Sequence, residues 1–310
     1  MEKRRIGSLE VSVVGLGCLD FGPRIDEARA AEVVHAALDA GINFFDTADI
    51  YGMGQSEEYL GRALAGRRAD AIIATKFGTQ LDDERQGAHP DYIRRAVEDS
   101  LRRLRTDHID LYQLHIPDPE VPIEETLGAL DELVRAGKVR EIGCSNLSAA
   151  QLREADKHST GTGKARFVSV QNEYSLLHRE PEAEVLPECE RLGIAFIPYW
   201  PLASGLLTGK YHRGEPAPAG TRLATASGRF AEFLSDENLA RVEALRDFAE
   251  ARNRSLLDLA FSWLLSSPAV ASVIAGASKP EQIRSNAAAT GWRLSPDELG
   301  EIDKIVSPAR

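Results

Sequence analysis

Asp46, Tyr51, Lys76 and His115 place a carboxylate, a phenol, an amine and an imidazole early in one chain. Together these groups suit the reduction of a carbonyl. A phenol can hand a proton to the carbonyl oxygen as hydride reaches the carbon, provided its ordinary pKa of roughly 10 is lowered. An ammonium nearby favours phenolate and so lowers that pKa, which is the part open to Lys76, while Asp46 can keep the amine charged and oriented. His115 can then bind the substrate oxygen and place it. Each residue alone has a plainer reading: a strand-end Lys or Asp as a solvated or capping group, and His115 in QLHIPD as a satisfied, half-buried histidine. The set takes its meaning from the elements that carry it.

Short β-branched runs alternate with stretches of helical period, the pattern of repeated βαβ units. Strands are expected at 11–17, 42–46, 71–76, 109–115, 139–145, 167–172, 194–200 and 270–276. Helices are expected near 27–40, 56–65, 90–105, 123–136, 148–158, 181–192, 255–266 and 280–289, with Ser56 and Ser148 as N-caps. A helix for each of eight strands predicts an α/β fold, a (β/α)₈ TIM barrel, as a single domain over 1–310. Segments 236–252 and 296–305 are two extra helices, and 201–235, long and rich in Gly and Pro, reads as a ligand-clasping loop after the seventh strand. The active site of such a barrel is built where the strands end. Asp46, Lys76 and His115 end strands two, three and four, Ser145–Asn146 and Gln171–Asn172 end strands five and six, and Tyr51 follows Asp46 in its loop.

The formal net charge of -11 argues against general nucleic-acid or anionic-membrane binding, so the expected partner is a small molecule. Cys18, Cys144 and Cys189 make neither a disulfide framework nor a zinc spacing and fit a reducing cytoplasm, and Cys144 reads as a small core residue. His35, His89, His108, His158, His178 and His212 form no ligand spacing, so no metal is expected. No apolar run has the length of a membrane span, and the N-terminus lacks a signal-peptide core. Gly15, Gly17 and Gly22 hint at a dinucleotide fingerprint, but Asp20 stands where its third glycine belongs, and a tight turn at the barrel mouth is the better reading.

FFDTADIYGMGQSEEYLG (44–61), ATKFG (74–78), DLYQLHIPD (110–118), GKVREIGCSN (137–146), QNEYSLL (171–177), PYWPLASGLLTGKY (198–211) and GASKPEQIRSN (276–286) follow one another over nearly the whole chain. On these motifs the sequence resembles the aldo-keto reductase family. The resemblance implies a (β/α)₈ barrel with two extra helices, a catalytic tetrad at Asp46, Tyr51, Lys76 and His115, and NADPH, rather than NADH, as cofactor. The substrate would be an aldehyde or ketone, sugars and keto-sugars included. Ser145, Asn146 and Gln171 would hold the nicotinamide carboxamide, with Gly17, Cys18 and Asp46 bordering the ring and either Tyr199 or Trp200 stacked on it. The pyrophosphate would lie under Leu202, Ser204, Gly205 and Lys210, with Arg222 closing over it. Gly276, Ser278, Lys279, Gln282 and Asn286 would meet the adenosine half, Ser278 and Lys279 suiting a 2′-phosphate. On their residue types alone, Leu19, Phe21 and Trp200 either make an apolar substrate wall beside Tyr51 and His115 or belong to the core. The chain departs from the family pattern at Trp200, where a small residue is common, and at Ser285, which replaces an acidic one. Two other functions share these residues: an NADPH-binding regulatory or redox-sensing subunit with little turnover, and a Schiff-base lyase using Lys76. The lack of a long added tail for docking a partner favours the enzyme.

Overall fold

A strand buried on both faces need not alternate polar with apolar residues, and in the computed structural model, described over residues 1–225 and 232–306, all six residues of IDLYQL (109–114) are buried. The strands are β1 (Lys3–Ile6), β2 (Leu9–Ser12), β3 (Val14–Gly17), β4 (Phe44–Asp46), β5 (Ile72–Phe77), β6 (Ile109–Leu114), β7 (Val139–Ser145), β8 (Phe167–Glu173), β9 (Ala195–Tyr199) and β10 (Val273–Gly276). From β3 to β10 they form one parallel sheet in the order β10-β3-β4-β5-β6-β7-β8-β9. Its two edges are joined through a parallel bridge between Phe196 and Val270, with Phe196 N–H donating to Ala269 O at 2.7 Å and Ala271 N–H to Phe196 O at 3.0 Å. The result is the expected (β/α)₈ barrel.

The helices are α1 (Glu27–Asp39), α2 (Gln55–Ala63), α3 (Pro90–Leu104), α4 (Ile123–Arg135), α5 (Ala149–Thr162), α6 (Val185–Leu192), α7 (Asp236–Glu250), α8 (Leu256–Ser266), α9 (Pro280–Ala288) and α10 (Pro296–Val306). The helices of the repeat turn a buried face inward; on α3 it is Tyr92, Ile93, Ala96, Val97, Ser100, Leu101 and Leu104. α7 and α10 are the two helices outside the repeat. α2 and α3 approach so closely that a Cβ on Gly61 would lie 2.5 Å from the Leu104 carbonyl oxygen.

Three expectations are corrected. The run 11–17 is not one strand: Leu9–Ser12 belongs to an antiparallel hairpin with Lys3–Ile6, turned at Gly7 with φ +56°, and only Val14–Gly17 enters the barrel. The cap of α2 is Gly54, in a left-handed conformation, whereas Ser56 is buried and donates to Cys18 O at 2.8 Å. The segment 181–192 divides into a 3₁₀ turn at Glu180–Glu182 and α6. The loop 201–235 carries 3₁₀ turns at Ala203–Thr208 and Arg222–Thr225, and 226–231 lies outside the described residues.

The hairpin stops the N-terminal end of the barrel. Ile6, Leu9 and Val11 pack with Phe44, Ala74, Leu111, Ile197 and Ile274 in one buried cluster inside the sheet. The Arg4 guanidinium pins the hairpin from outside, donating to Leu265 O at 2.8 Å, Ser267 O at 3.1 Å and Val270 O at 2.6 Å.

Candidate active site

Side chains two apart on a strand share a face. Phe44, Ala74, Leu111 and Ile197 fill the barrel interior, so Asp46, Lys76, Gln113 and Tyr199, two residues further on, also project inward, now at the mouth. The register sets their heights: Asp46 pairs with Ala74, two residues before Lys76, and Lys76 pairs with Gln113. Crowding forbids a side chain at Gly15, where a Cβ would meet Ile274 at 2.8 Å and Phe44 at 2.9 Å.

Lys76 is fully buried, and its Nζ donates to Asp46 Oδ1 at 2.5 Å, to Thr47 O at 3.0 Å and to the Tyr51 hydroxyl at 3.3 Å. The second Asp46 oxygen accepts from Gln171 Nε2 at 2.8 Å and Gln113 Nε2 at 3.2 Å, so the carboxylate is fixed from both sides. Burial works against the ammonium, but the Asp46 charge and Tyr51 outweigh it and the Lys76 pKa ends above its ordinary value. Tyr51 corrects one expectation. Burial raises its pKa more than the Lys76 charge lowers it, so the resting group is a protonated phenol. The His115 ring stands edge-on to the Tyr51 ring at 5.9 Å. Burial, aided by the Lys76 charge, holds the His115 pKa down to about 3, leaving a neutral imidazole whose buried Nδ1 has no partner.

Asp46 and Tyr51 close one end of a cavity of about 420 Å³ that runs to the N-terminus of α9. Gly17, Leu19, Gln171, Tyr199 and Trp200 line it near the tetrad; Leu202, Ser204, Gly205, Lys210 and Arg222 line its middle; Gly276, Ser278, Lys279 and Gln282 line its far end. Tyr199 and Trp200 both face the cavity, edge-on to each other at 5.6 Å. Six expected contacts do not line it, His115 of the tetrad among them. Cys18 is buried, its N–H donating to Asp46 O, and Phe21 packs in the core. The Ser145 hydroxyl donates to Gln171 O at 2.6 Å. Asn146 ties strand ends together, Nδ2 donating to His115 O at 3.0 Å and Oδ1 accepting from the Tyr199 hydroxyl at 2.9 Å. Asn286 is buried on α9.

The middle of the cavity suits an anion. Lys210, Arg222 and Arg24 line it in a chain whose net charge is -11. Burial, then the charges of Arg222 and Arg24, pushes the Lys210 pKa below its ordinary value, a strain that an anionic ligand would relieve. The buried Ser204 hydroxyl has no partner. Ala203, Ser204 and Gly205 are successively left-handed, with φ of 45°, 56° and 96°, so the backbone there is bent tightly against the cavity. At the far end Gln282 Oε1 accepts from Ser278 N at 2.8 Å and Lys279 N at 3.1 Å, which fixes the turn carrying the Lys279 side chain. The donor set, basic groups and small residues in a long groove, fits a phosphate-bearing dinucleotide. Among the described residues no group of three or more His, Cys, Asp or Glu could hold a metal, and no helix is long and apolar enough to cross a membrane.

Sequence reasoning missed two participants. Asp20, read there only as the breaker of a glycine motif, accepts from Arg222 at 2.7 Å and so joins the loop after β3 to the loop after β9. Gln113, which holds Asp46, was signalled by its place two residues before His115 on the same strand.

The profile described as the aldo/keto reductase family matches residues 13–307. Aldo-keto reductase YhdN of Bacillus subtilis is 38% identical over 307 residues, covering 96% of this chain and 91% of that protein. Among solved structures, the glycerol dehydrogenase of Gluconobacter oxydans superposes with a TM-score of 0.86 at 33% identity, covering 99% of this chain and 97% of that one. The holo form of an aldo-keto reductase from Bacillus halodurans does so with a TM-score of 0.82 at 34% identity, covering 100% and 97%.

Proposed function

The chain belongs to the aldo/keto reductase family, and from that premise we propose that it reduces an aldehyde or ketone to an alcohol with NADPH, Tyr51 acting as general acid. The observation that carries this reading is the Tyr51 hydroxyl at the cavity wall, 3.3 Å from the buried Lys76 amine. A bound nicotinamide supplies the hydride. Tyr51 gives its proton to the carbonyl oxygen as negative charge develops there, and the Lys76 ammonium stabilises the phenolate left behind. Asp46 keeps Lys76 charged, and Gln113 and Gln171 keep Asp46 still. His115, neutral across the working pH range, offers a hydrogen bond to the oxygen without competing as an acid.

In this reading Gly17, the Cys18 backbone, Asp46, Ser145, Asn146 and Gln171 surround the nicotinamide, Ser145 and Asn146 acting after their present bonds rearrange. Tyr199 or Trp200 stacks on the ring; Leu202, Ser204, Gly205, Lys210 and Arg222 take the pyrophosphate; Gly276, Ser278, Lys279, Gln282 and Asn286 take the adenosine half. The preference for NADPH rests on Lys279 at the cavity's far end. A charged pair with a 2′-phosphate is worth on the order of 1.5–3 kcal/mol, so Lys279→Ala should weaken NADPH binding about tenfold or more and leave NADH nearly unchanged in a fluorescence titration. Equal losses for both cofactors would remove the residue from this role.

The reading is tested by a panel of carbonyls and alcohols with each nicotinamide cofactor, followed at 340 nm. Reduction of carbonyls with NADPH is expected. Tight NADPH binding with no turnover across the panel would point to the regulatory subunit instead, and a borohydride-trapped adduct on Lys76 to the lyase.

A further inference from the structure

Behind Tyr51, on the side away from the cavity, lies a buried cluster that takes no part in the mechanism above. Glu57 on α2 is fully buried and accepts from Thr75 Oγ1 at 2.6 Å and from Arg103 Nε at 2.6 Å. Asp49 is also buried, accepts from the Tyr92 hydroxyl at 3.2 Å and leaves its Oδ1 without a partner. Glu57 thus takes the Arg103 guanidinium, whose charge Asp49 feels without a bond to it. Asp49 N–H donates to Lys76 O at 3.1 Å, two residues before Tyr51, so this carboxyl sits at the root of the catalytic turn.

The turn is strained. After Tyr51 come three left-handed residues, Gly52 (φ 57°), Met53 (φ 55°) and Gly54 (φ 93°), and Met53 has a Cβ to accommodate there. Gly54 rests on Arg103, whose Cδ would lie 2.7 Å from any Cβ added to it. What holds the turn down is therefore the cluster below. We propose that Asp49 is a positioning residue for Tyr51: protonated, it lets the catalytic turn sit on the Glu57–Arg103 pair, and losing its proton it works the turn loose.

The direction follows from linkage. Burial first, and then the Glu57 charge, pushes the Asp49 carboxyl up to about 7 against the opposing pull of Arg103 and Tyr92. The other groups facing it leave that balance standing: Arg85 is paired with Asp82, Arg95 and Asp99 line the small cavity beside it, and Tyr112 on β6 is itself held protonated by burial. That cavity, about 80 Å³, has room for water to carry the proton. In a lifted turn the carboxyl is solvated and ionises near its ordinary value of about 4. Opening then releases one proton whenever the pH lies above about 4 and the seated carboxyl is still protonated, and seating is progressively disfavoured from there up to about 7. Above about 7 both forms are ionised and the full penalty is in place. Asparagine mimics the protonated acid at every pH.

The proposal rests on Tyr51 being the acid, and the test separates the two. Hydrogen exchange at the amides of Tyr51, Met53 and Gln55, corrected for intrinsic rates, reads the turn without any turnover. In the wild type the protection should fall up to about tenfold per pH unit between pH 5 and 7 and level off above it. In Asp49→Asn it should stay flat. Tyr92→Phe, which removes a hydrogen bond favouring the ionised acid, should carry the levelling point to higher pH. kcat for carbonyl reduction should decline through the same window in the wild type and lose that decline in Asp49→Asn, whatever the variant's plateau. An Asp49→Asn protein whose exchange keeps the wild-type slope overturns the proposal, as does one whose exchange flattens while its kcat profile keeps the wild-type shape. If the wild type reduces no carbonyl, the functional reading fails and the exchange arm alone decides whether Asp49 seats the turn.

Discussion

Tyr51 must be protonated before reduction and must part with its proton during it, and its surroundings serve the two demands through different neighbours. Burial keeps the resting phenol neutral, whereas the Lys76 ammonium lowers the cost of the phenolate only once it forms. Tyr51→Phe should therefore remove most turnover while cofactor affinity hardly changes. General acid catalysis is typically worth about 10²–10⁴ in rate, or roughly 3–5 kcal/mol, and the loss should fall on kcat. Lys76→Met should cost a comparable factor, and the double variant should resemble either single one if the pair acts as a unit; multiplied losses would mean separate roles. Because Lys76→Met also strands the buried Asp46 charge, its thermal unfolding must be followed beside its kinetics. At this scale the tetrad was readable because its members are polar residues at the ends of apolar strands. Asp49 and Glu57 were not: they lie in a turn and a helix start, where acidic residues are ordinary, and only the fold brings Arg103 from α3 onto Glu57.

At the scale of elements, the contact between α2 and α3 sets how close the Tyr51 turn lies to Arg103. Gly61 makes that contact possible. An alanine there gains about 1 kcal/mol of helix propensity but must push its Cβ into the Leu104 and Arg103 carbonyls, and overpacking of this kind typically costs about 1–3 kcal/mol. Backbone cannot swing aside as a side chain can, so the cost should win and Gly61→Ala should lower Tm. Gly128→Ala on α4, whose new methyl would touch only the flexible Lys164 Nζ at 3.4 Å, should raise it. If both variants shift in the same direction, the packing argument fails. Helices were legible through their period of buried residues, and Ser148 through its capping box with Gln151. The N-terminal hairpin was hidden because β2 and β3 are both apolar and differ only in which chain segment they pair with, a long-range fact.

For the molecule as a whole, that hairpin is a stopper held from outside. Arg4 satisfies three carbonyls at the end of α8 and just beyond it, where removal leaves partly buried acceptors unmade at about 1–3 kcal/mol. Arg4→Met should lower Tm by roughly 1–2 °C for each kcal/mol lost, with no change in cofactor affinity. Eight strands with eight helices announced the barrel because the repeat is local, whereas the stopper is a property of closure. Its presence leaves the catalytic residues at the mouth standing on a solid apolar floor of Phe44, Ala74, Leu111, Ile197 and Ile274. Whatever reaches those residues must therefore come from the mouth side, a route imposed at the far end of the barrel by a hairpin that does not line the cavity.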